Sequence, residues 1–187
     1  DAYHALVRTL AALHDVDPQA VGLADFGKPG NYFSRQVARW TGQYRACETQ
    51  TRPDMDWTIA WLERNMVPDD GQTAIVHGDY RLDNVMFDAD TPDMIAVLDW
   101  ELSTLGHPFA DLAYQCMGLR LPQDGMIKGL EGIDRKAQGL PEEADYVAQY
   151  CALRGIAPPE NWAFYMVFSF FRLAAILEGV LHRAQSG

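Results

Sequence analysis

The sequence predicts an α+β domain, mainly helical, that carries one short β-hairpin at its centre. Apolar residues recur at helical spacing through both outer thirds of the chain. Three short apolar runs separated by turn residues occupy the middle third. With 48% hydrophobic residues in 187, one domain with a core of ordinary size is expected, spanning residues 1–187.

Tyr3 to His14 place Ala5, Leu6, Leu10 and Leu13 at helical spacing, and Asp15-Val16-Asp17-Pro18 ends that helix. A loop rich in Gly and Pro covers 22–30, followed by a helix over 31–49 with an aromatic face of Tyr32, Phe33, Trp40 and Tyr44 beside Val37. Another helix follows Pro53-Asp54, carries Trp57, Ile59, Trp61 and Leu62, and stops near Pro68-Asp69-Asp70-Gly71; its aromatics are expected in the core. Then the period changes. Thr73–Val76, Asn84–Phe87 and Met94–Leu98 read as strands, and the acidic turn 88–93 joins the last two as a hairpin. Pro108 suits the first turn of a helix running to Leu119, and 120–141 is irregular. Helices over 142–154 and 160–183 close the chain; the last is apolar on most sides and should be buried.

Composition narrows the partners. Cys47, Cys116 and Cys151 are odd in number and far apart, which fits small buried hydrophobes better than a disulfide framework or a zinc site. A formal net charge of -11 opposes binding to nucleic acid or to an anionic membrane, since both need Lys and Arg against phosphate. No run of eighteen apolar residues and no leader-like start occur, so a cytoplasmic protein without a membrane partner is expected. A polyanionic substrate such as ATP remains compatible, provided that a divalent cation gathers acidic side chains and phosphate at one point.

The stretch with chemical content is Val76-His77-Gly78-Asp79-Tyr80-Arg81-Leu82-Asp83-Asn84. Kinase catalytic loops share its spacing: an Asp that orients the acceptor hydroxyl, then an Asn five residues on that reaches magnesium. A second element strengthens it. Asp99 ends the Ile95–Leu98 run, and a hairpin turning about its acidic loop would set Asn84 opposite Asp99, with Cα atoms roughly 4.5–5.5 Å apart. An Asn carbonyl and an Asp carboxylate are suitable hard donors for Mg2+. Asp25-Phe26-Gly27 also reads as D-F-G, but it precedes the H-G-D loop, whereas the metal Asp of a kinase follows it, so it is read as a turn.

Together with Leu98-Asp99-Trp100-Glu101, Gly106-His107-Pro108 and Ala110-Asp111-Leu112-Ala113-Tyr114, the motif resembles the signature of the aminoglycoside phosphotransferase and choline kinase-like family. More narrowly, the chain is similar to the kinase-like domains related to those fused to acyl-CoA dehydrogenases. Gly22 to Gly27, Arg35-Gln36, Trp40, Gly132-Ile133-Asp134 and Phe171-Arg172-Leu173-Ala174 extend the likeness over nearly the whole sequence. The resemblance implies the C-terminal lobe of a protein-kinase-like fold, acting with ATP and Mg2+ on a small-molecule hydroxyl. Hydroxy acids or hydroxyacyl-CoAs are favoured over aminoglycosides.

On that analogy Asp79 is the catalytic base, while Asn84 and Asp99 bind magnesium and, with Arg81, the nucleotide. The residues by themselves leave several alternatives open. His77 either orients the loop through hydrogen bonds or touches substrate. Asp111 either answers the free N–H groups of its own helix or braces the catalytic loop. Arg81 either steadies the transferred phosphoryl or forms a surface ion pair. Glu101 lies near metal, meets substrate or faces solvent. Arg172 interrupts an apolar helix, so a buried cation there calls for a structural salt bridge or an anionic substrate group.

A kinase of this type also needs an N-terminal lobe with a covering loop and a Lys for the ATP phosphates. Only Lys28, Lys128 and Lys136 exist, none on a strand predicted before the catalytic loop, so that lobe is expected to be missing from this sequence. The fragment alone should turn over negligibly, and its oligomeric state is open. Two other classes compete. A metal-dependent phosphohydrolase would need more ligands than His77, Asp79, Asp99 and His107 provide. A silent pseudokinase or interaction module would be expected to have lost at least one of Asp79, Asn84 and Asp99.

Overall fold

The computed structural model describes residues 2–186, in which helices at both ends enclose four short strands. The helices are α1 (Ala2–His14), α2 (Tyr32–Cys47), α3 (Pro53–Arg64), α4 (Phe109–Met117), α5 (Glu143–Arg154) and α6 (Trp162–Ser186). The strands are β1 (Ala74–Val76), β2 (Val85–Phe87), β3 (Met94–Val97) and β4 (Thr104–Gly106).

Helical periodicity decides what is inside. In α1, Leu6, Leu10 and His14 follow at intervals of four and are buried, as are Val7 and Ala11 beside them. In α2 the buried set is Phe33, Val37, Trp40 and Tyr44. Pro53 opens α3, where its missing N–H costs nothing, and Met55, Ile59 and Leu62 turn inward. Trp57 falls on the opposite side of that helix and is exposed, which corrects its expected place in the core. α6 is long and apolar enough to cross a membrane, but α2, α3 and α4 cover it, and this core position accounts for its apolarity.

β2 and β3 form the expected antiparallel hairpin, with Val85 opposite Val97 and Met86 opposite Ala96. In its turn, Asp88 accepts hydrogen bonds from the backbone N–H groups of Asp90 and Thr91. β1 pairs elsewhere, with β4, a strand too short for its period to be read. Two 3-10 turns, Leu82–Asn84 and Trp100–Leu102, were likewise not expected. The two pairings place segment 77–84, between β1 and β2, beside segment 98–103, between β3 and β4.

The hairpin register corrects one expectation. The backbone carbonyl of Asn84 accepts from Leu98 N–H at 2.8 Å, so Leu98, not Asp99, lies opposite Asn84. Asn84 closes a 3-10 turn, and Asp99 sits one residue past the ladder in a left-handed conformation with φ 63° and ψ 60°. That displacement leaves Asp99 exposed, free of the strand's alternation of faces.

Candidate active site

The His77–Asn84 segment is held from below. Asp111, in the first turn of α4, is 1% exposed and accepts from the backbone N–H of His77 at 2.6 Å and of Gly78 at 2.8 Å. The Nε2 of His14, at the end of α1, lies 3.2 Å from the same carboxylate. Burial alone would raise the carboxyl pKa, but His14 and the two backbone donors outweigh it and hold the group below the usual carboxylate range. His14 is steadied in turn by Tyr150, whose hydroxyl lies 2.6 Å from Nδ1, and Arg154 reaches that hydroxyl from α5 at 3.1 Å. Three helices thus meet under one loop.

His77 is fully buried and spans the two facing segments. Its Nδ1 accepts from Asp79 N–H at 3.2 Å, which makes Nε2 the donor to the Leu98 carbonyl at 2.8 Å. The side chain therefore ties the Asp79 loop to the end of β3. Gly78 has φ +84°, and a Cβ there would come within 2.5 Å of the Leu102 carbonyl oxygen. Only glycine allows the two segments to approach this closely.

Asp79 itself is partly accessible. Its Oδ2 accepts from Asn84 Nδ2 at 2.7 Å, and the same amide nitrogen donates to the Asp79 carbonyl at 2.9 Å. Arg81 Nε stands 3.6 Å from Asp79 Oδ2, while its guanidinium pairs with Asp83 at 3.3 Å. With its nitrogen committed to Asp79, Asn84 has its carbonyl oxygen left as a donor to a cation. Asp99, across the segment, offers an exposed carboxylate on a backbone of rarely adopted shape, a feature that collects at functional sites. Among the described residues no group of three or more His, Cys, Asp or Glu could hold a metal. Magnesium fits nevertheless, because it takes one or two carboxylates and completes its shell with phosphate oxygens and water.

Two expected residues lie apart from that cluster. Arg172, from α6, has no carboxylate partner among the described residues, so of its two readings the structural salt bridge is not formed here. Its guanidinium lies 5.3 Å from the Trp40 ring centre and 5.0 Å from that of Tyr114. Glu101 is exposed and shares with Arg172 the lining of a cavity of about 220 Å3 beside Gly78. Asp25-Phe26-Gly27 forms a turn against β4, with the Phe26 carbonyl 3.4 Å from Thr104 Oγ1.

Sequence reasoning passed over His14 and Tyr114. A polar residue on the buried stripe of Leu6 and Leu10 was the available signal for His14. Tyr114 connects Asp79 with Arg172: burial first, then the Asp79 carboxylate, pushes its phenol up to about 12.

The model of the phosphotransferase enzyme family matches residues 1–160. The chain belongs to that family. Acyl-CoA dehydrogenase family member 10 of Mus musculus is 48% identical over 99% of this chain, which spans only 17% of that protein. A solved structure of a candidate aminoglycoside phosphotransferase from Ralstonia eutropha is 48% identical, with a TM-score of 0.95 over all of this chain and 56% of its own. The aminoglycoside phosphotransferase APH(3'')-Id of Streptomyces rimosus, solved with ADP and streptomycin, aligns at a TM-score of 0.63 and 18% identity over 91% of this chain and 61% of its own. At that identity the likeness speaks for the fold, which is the kinase-like fold of the family.

Proposed function

We propose that the chain is the acceptor-binding and catalytic part of an ATP- and Mg2+-dependent phosphotransferase that phosphorylates a hydroxyl of a small molecule, with a hydroxy acid or hydroxyacyl-CoA as acceptor. The observation that carries this reading is the Asp79–Asn84 pair: a partly accessible carboxylate fixed by an amide whose oxygen remains available to a cation. The lobe that would cover ATP lies outside these residues in this proposal, since no strand precedes β1 among those described. The relatives named as acyl-CoA dehydrogenase family members support acyl-type acceptors over antibiotics in this reading.

In this mechanism Asp79 orients the acceptor hydroxyl and accepts its proton as the hydroxyl oxygen bonds to the γ-phosphorus of ATP and the bond from that phosphorus to ADP breaks. Asn84 keeps the Asp79 carboxylate turned toward the acceptor. Asn84 Oδ1 and Asp99 would hold Mg2+, which when bound neutralises charge on the phosphates. Arg81, already drawn toward Asp79, lies where a cation can offset the negative charge of the phosphoryl group in transit. His77 and Asp111 touch no reactant and position the loop.

The test is ADP release by the full-length protein with Mg2+ across hydroxy acids, hydroxyacyl-CoAs, amino alcohols and aminoglycosides. Asp79→Asn is expected to lower kcat by about 10²–10⁴-fold while the protein remains folded. Full activity in that variant would end the assignment of Asp79. Nucleotide binding without turnover on any acceptor would favour a silent binding module.

A further inference from the structure

Arg172 is 5% exposed, and its Nε is buried without a hydrogen-bond partner. A buried cation costs several kcal/mol unless it is paired, and the two aromatic faces that flank it return only about 1–2 kcal/mol. An anion would answer this charge, and the fold leaves room for one. The cavity of about 220 Å3 onto which Arg172 opens is also lined by Arg39, Gln36, Ser103 and Gly78. Trp40 forms a wall shared by the two guanidinium groups, with Arg39 at 5.6 Å and Arg172 at 5.3 Å from its ring. In a chain of net charge -11, two arginines free of ion pairs among the described residues and facing one cavity are a local arrangement. Glu101 is the acidic side chain of this lining, and it is exposed.

The position matters as much as the charge. Gly78, the residue before Asp79, forms part of the cavity wall, and Tyr114 lies under Arg172 while its phenol feels the Asp79 carboxylate. A small acceptor seated on Arg172 would lie against the residue that precedes Asp79. The cavity is smaller than the roughly 300–1,000 Å3 of sites for drug-sized ligands, which suits a short acid better than an aminoglycoside.

We propose that Arg172, assisted by Arg39, binds the free carboxylate of a short hydroxy acid, with the acid's hydroxyl directed toward Asp79. A planar guanidinium matches a carboxylate through two parallel hydrogen bonds, which a thioester or an amide cannot supply. The direction of the hydroxyl rests on the proposed phosphotransferase reading; the anion site does not.

Binding to the full-length protein, without nucleotide, is measured by calorimetry for 2-, 3- and 4-hydroxybutyrate and for the corresponding amides. At least one acid is expected to bind at least about tenfold more tightly than its amide, as for a lost charged hydrogen-bond pair. Arg172→Gln should remove that preference, and Arg172→Lys should restore it in part. Arg39→Gln alters an exposed residue that leaves the core intact, and should weaken acid binding about threefold. Equal binding of acids and amides, no binding of any acid at about 10 mM, or a preference that survives Arg172→Gln would overturn the proposal. Arg172-dependent acid binding in a protein that transfers no phosphoryl group would refute the proposed function alone. Phosphorylation of a hydroxy acid and its amide with equal KM values, neither changed by Arg172→Gln, would refute the anion site alone.

Discussion

Asp111 and Arg172 are two buried charges, 1% and 5% exposed, near the Asp79 loop, and the fold treats them in opposite ways. Asp111 receives donors from α1 and from two successive backbone N–H groups. Arg172 receives aromatic faces and keeps an unpartnered nitrogen. Its own helix shows that α6 can satisfy a buried charge: Glu178 accepts from Thr49 N–H at 2.7 Å and from Arg52 Nε at 3.2 Å. The difference separates structure from function. A charge that is fully paired inside the protein holds the protein together, and one left unpaired beside a cavity is reserved for something that arrives.

The comparison can be broken most forcefully at Asp111. Asp111→Asn keeps the shape but removes the charge that three donors share, and should lower the unfolding free energy by about 3 kcal/mol in urea titrations followed by tryptophan fluorescence. Because the folded carboxyl titrates below the usual carboxylate range, the stability it contributes is present above that range and is lost as the pH falls through the folded value. The gap between wild type and Asp111→Asn should therefore be full at neutral pH and narrow as the pH falls below the usual carboxylate range. A gap that widens in acid would show that Asp111 is not the anion this network is built around.

A smaller effect is expected where the two segments above Asp111 touch. Gly78→Ala forces an L side chain into a positive φ against the Leu102 carbonyl, at a cost of about 1–3 kcal/mol, and should misplace Asp79. The expected outcome is a drop in kcat that exceeds any change in nucleotide affinity.

The smallest effect on stability should come from Arg172. Arg172→Met fills the same space between Trp40 and Tyr114 without a buried charge, so its unfolding free energy should stay within about 1 kcal/mol of wild type, or rise. A loss as large as that of Asp111→Asn would place Arg172 among the structural charges and remove the contrast.

The sequence disclosed some of this readily. The six helices follow from apolar spacing, and His77, Gly78, Asp79 and Asn84 are visible because the chemistry demands fixed residue types a few positions apart. The β2–β3 hairpin was legible from its acidic turn, whereas β4 and both 3-10 turns are three residues long, too short to show a period. Asp99 was identified as a site residue, but its setting was misjudged by one position, because a left-handed residue past the ladder follows no strand register.

By itself, then, the sequence determined the kinase-like class and marked the H-G-D segment on which the proposed site is built, since local spacing and residue chemistry suffice for these. Only the tertiary structure decided that His14 supports Asp111 from 97 residues away and that Arg172 has no carboxylate to meet among the described residues. The physical reason is that a buried charge is satisfied through space. Trp40 and Tyr114, which flank Arg172, come from α2 and α4, and nothing in the local sequence around Arg172 reveals that these helices bring rings and no counter-charge.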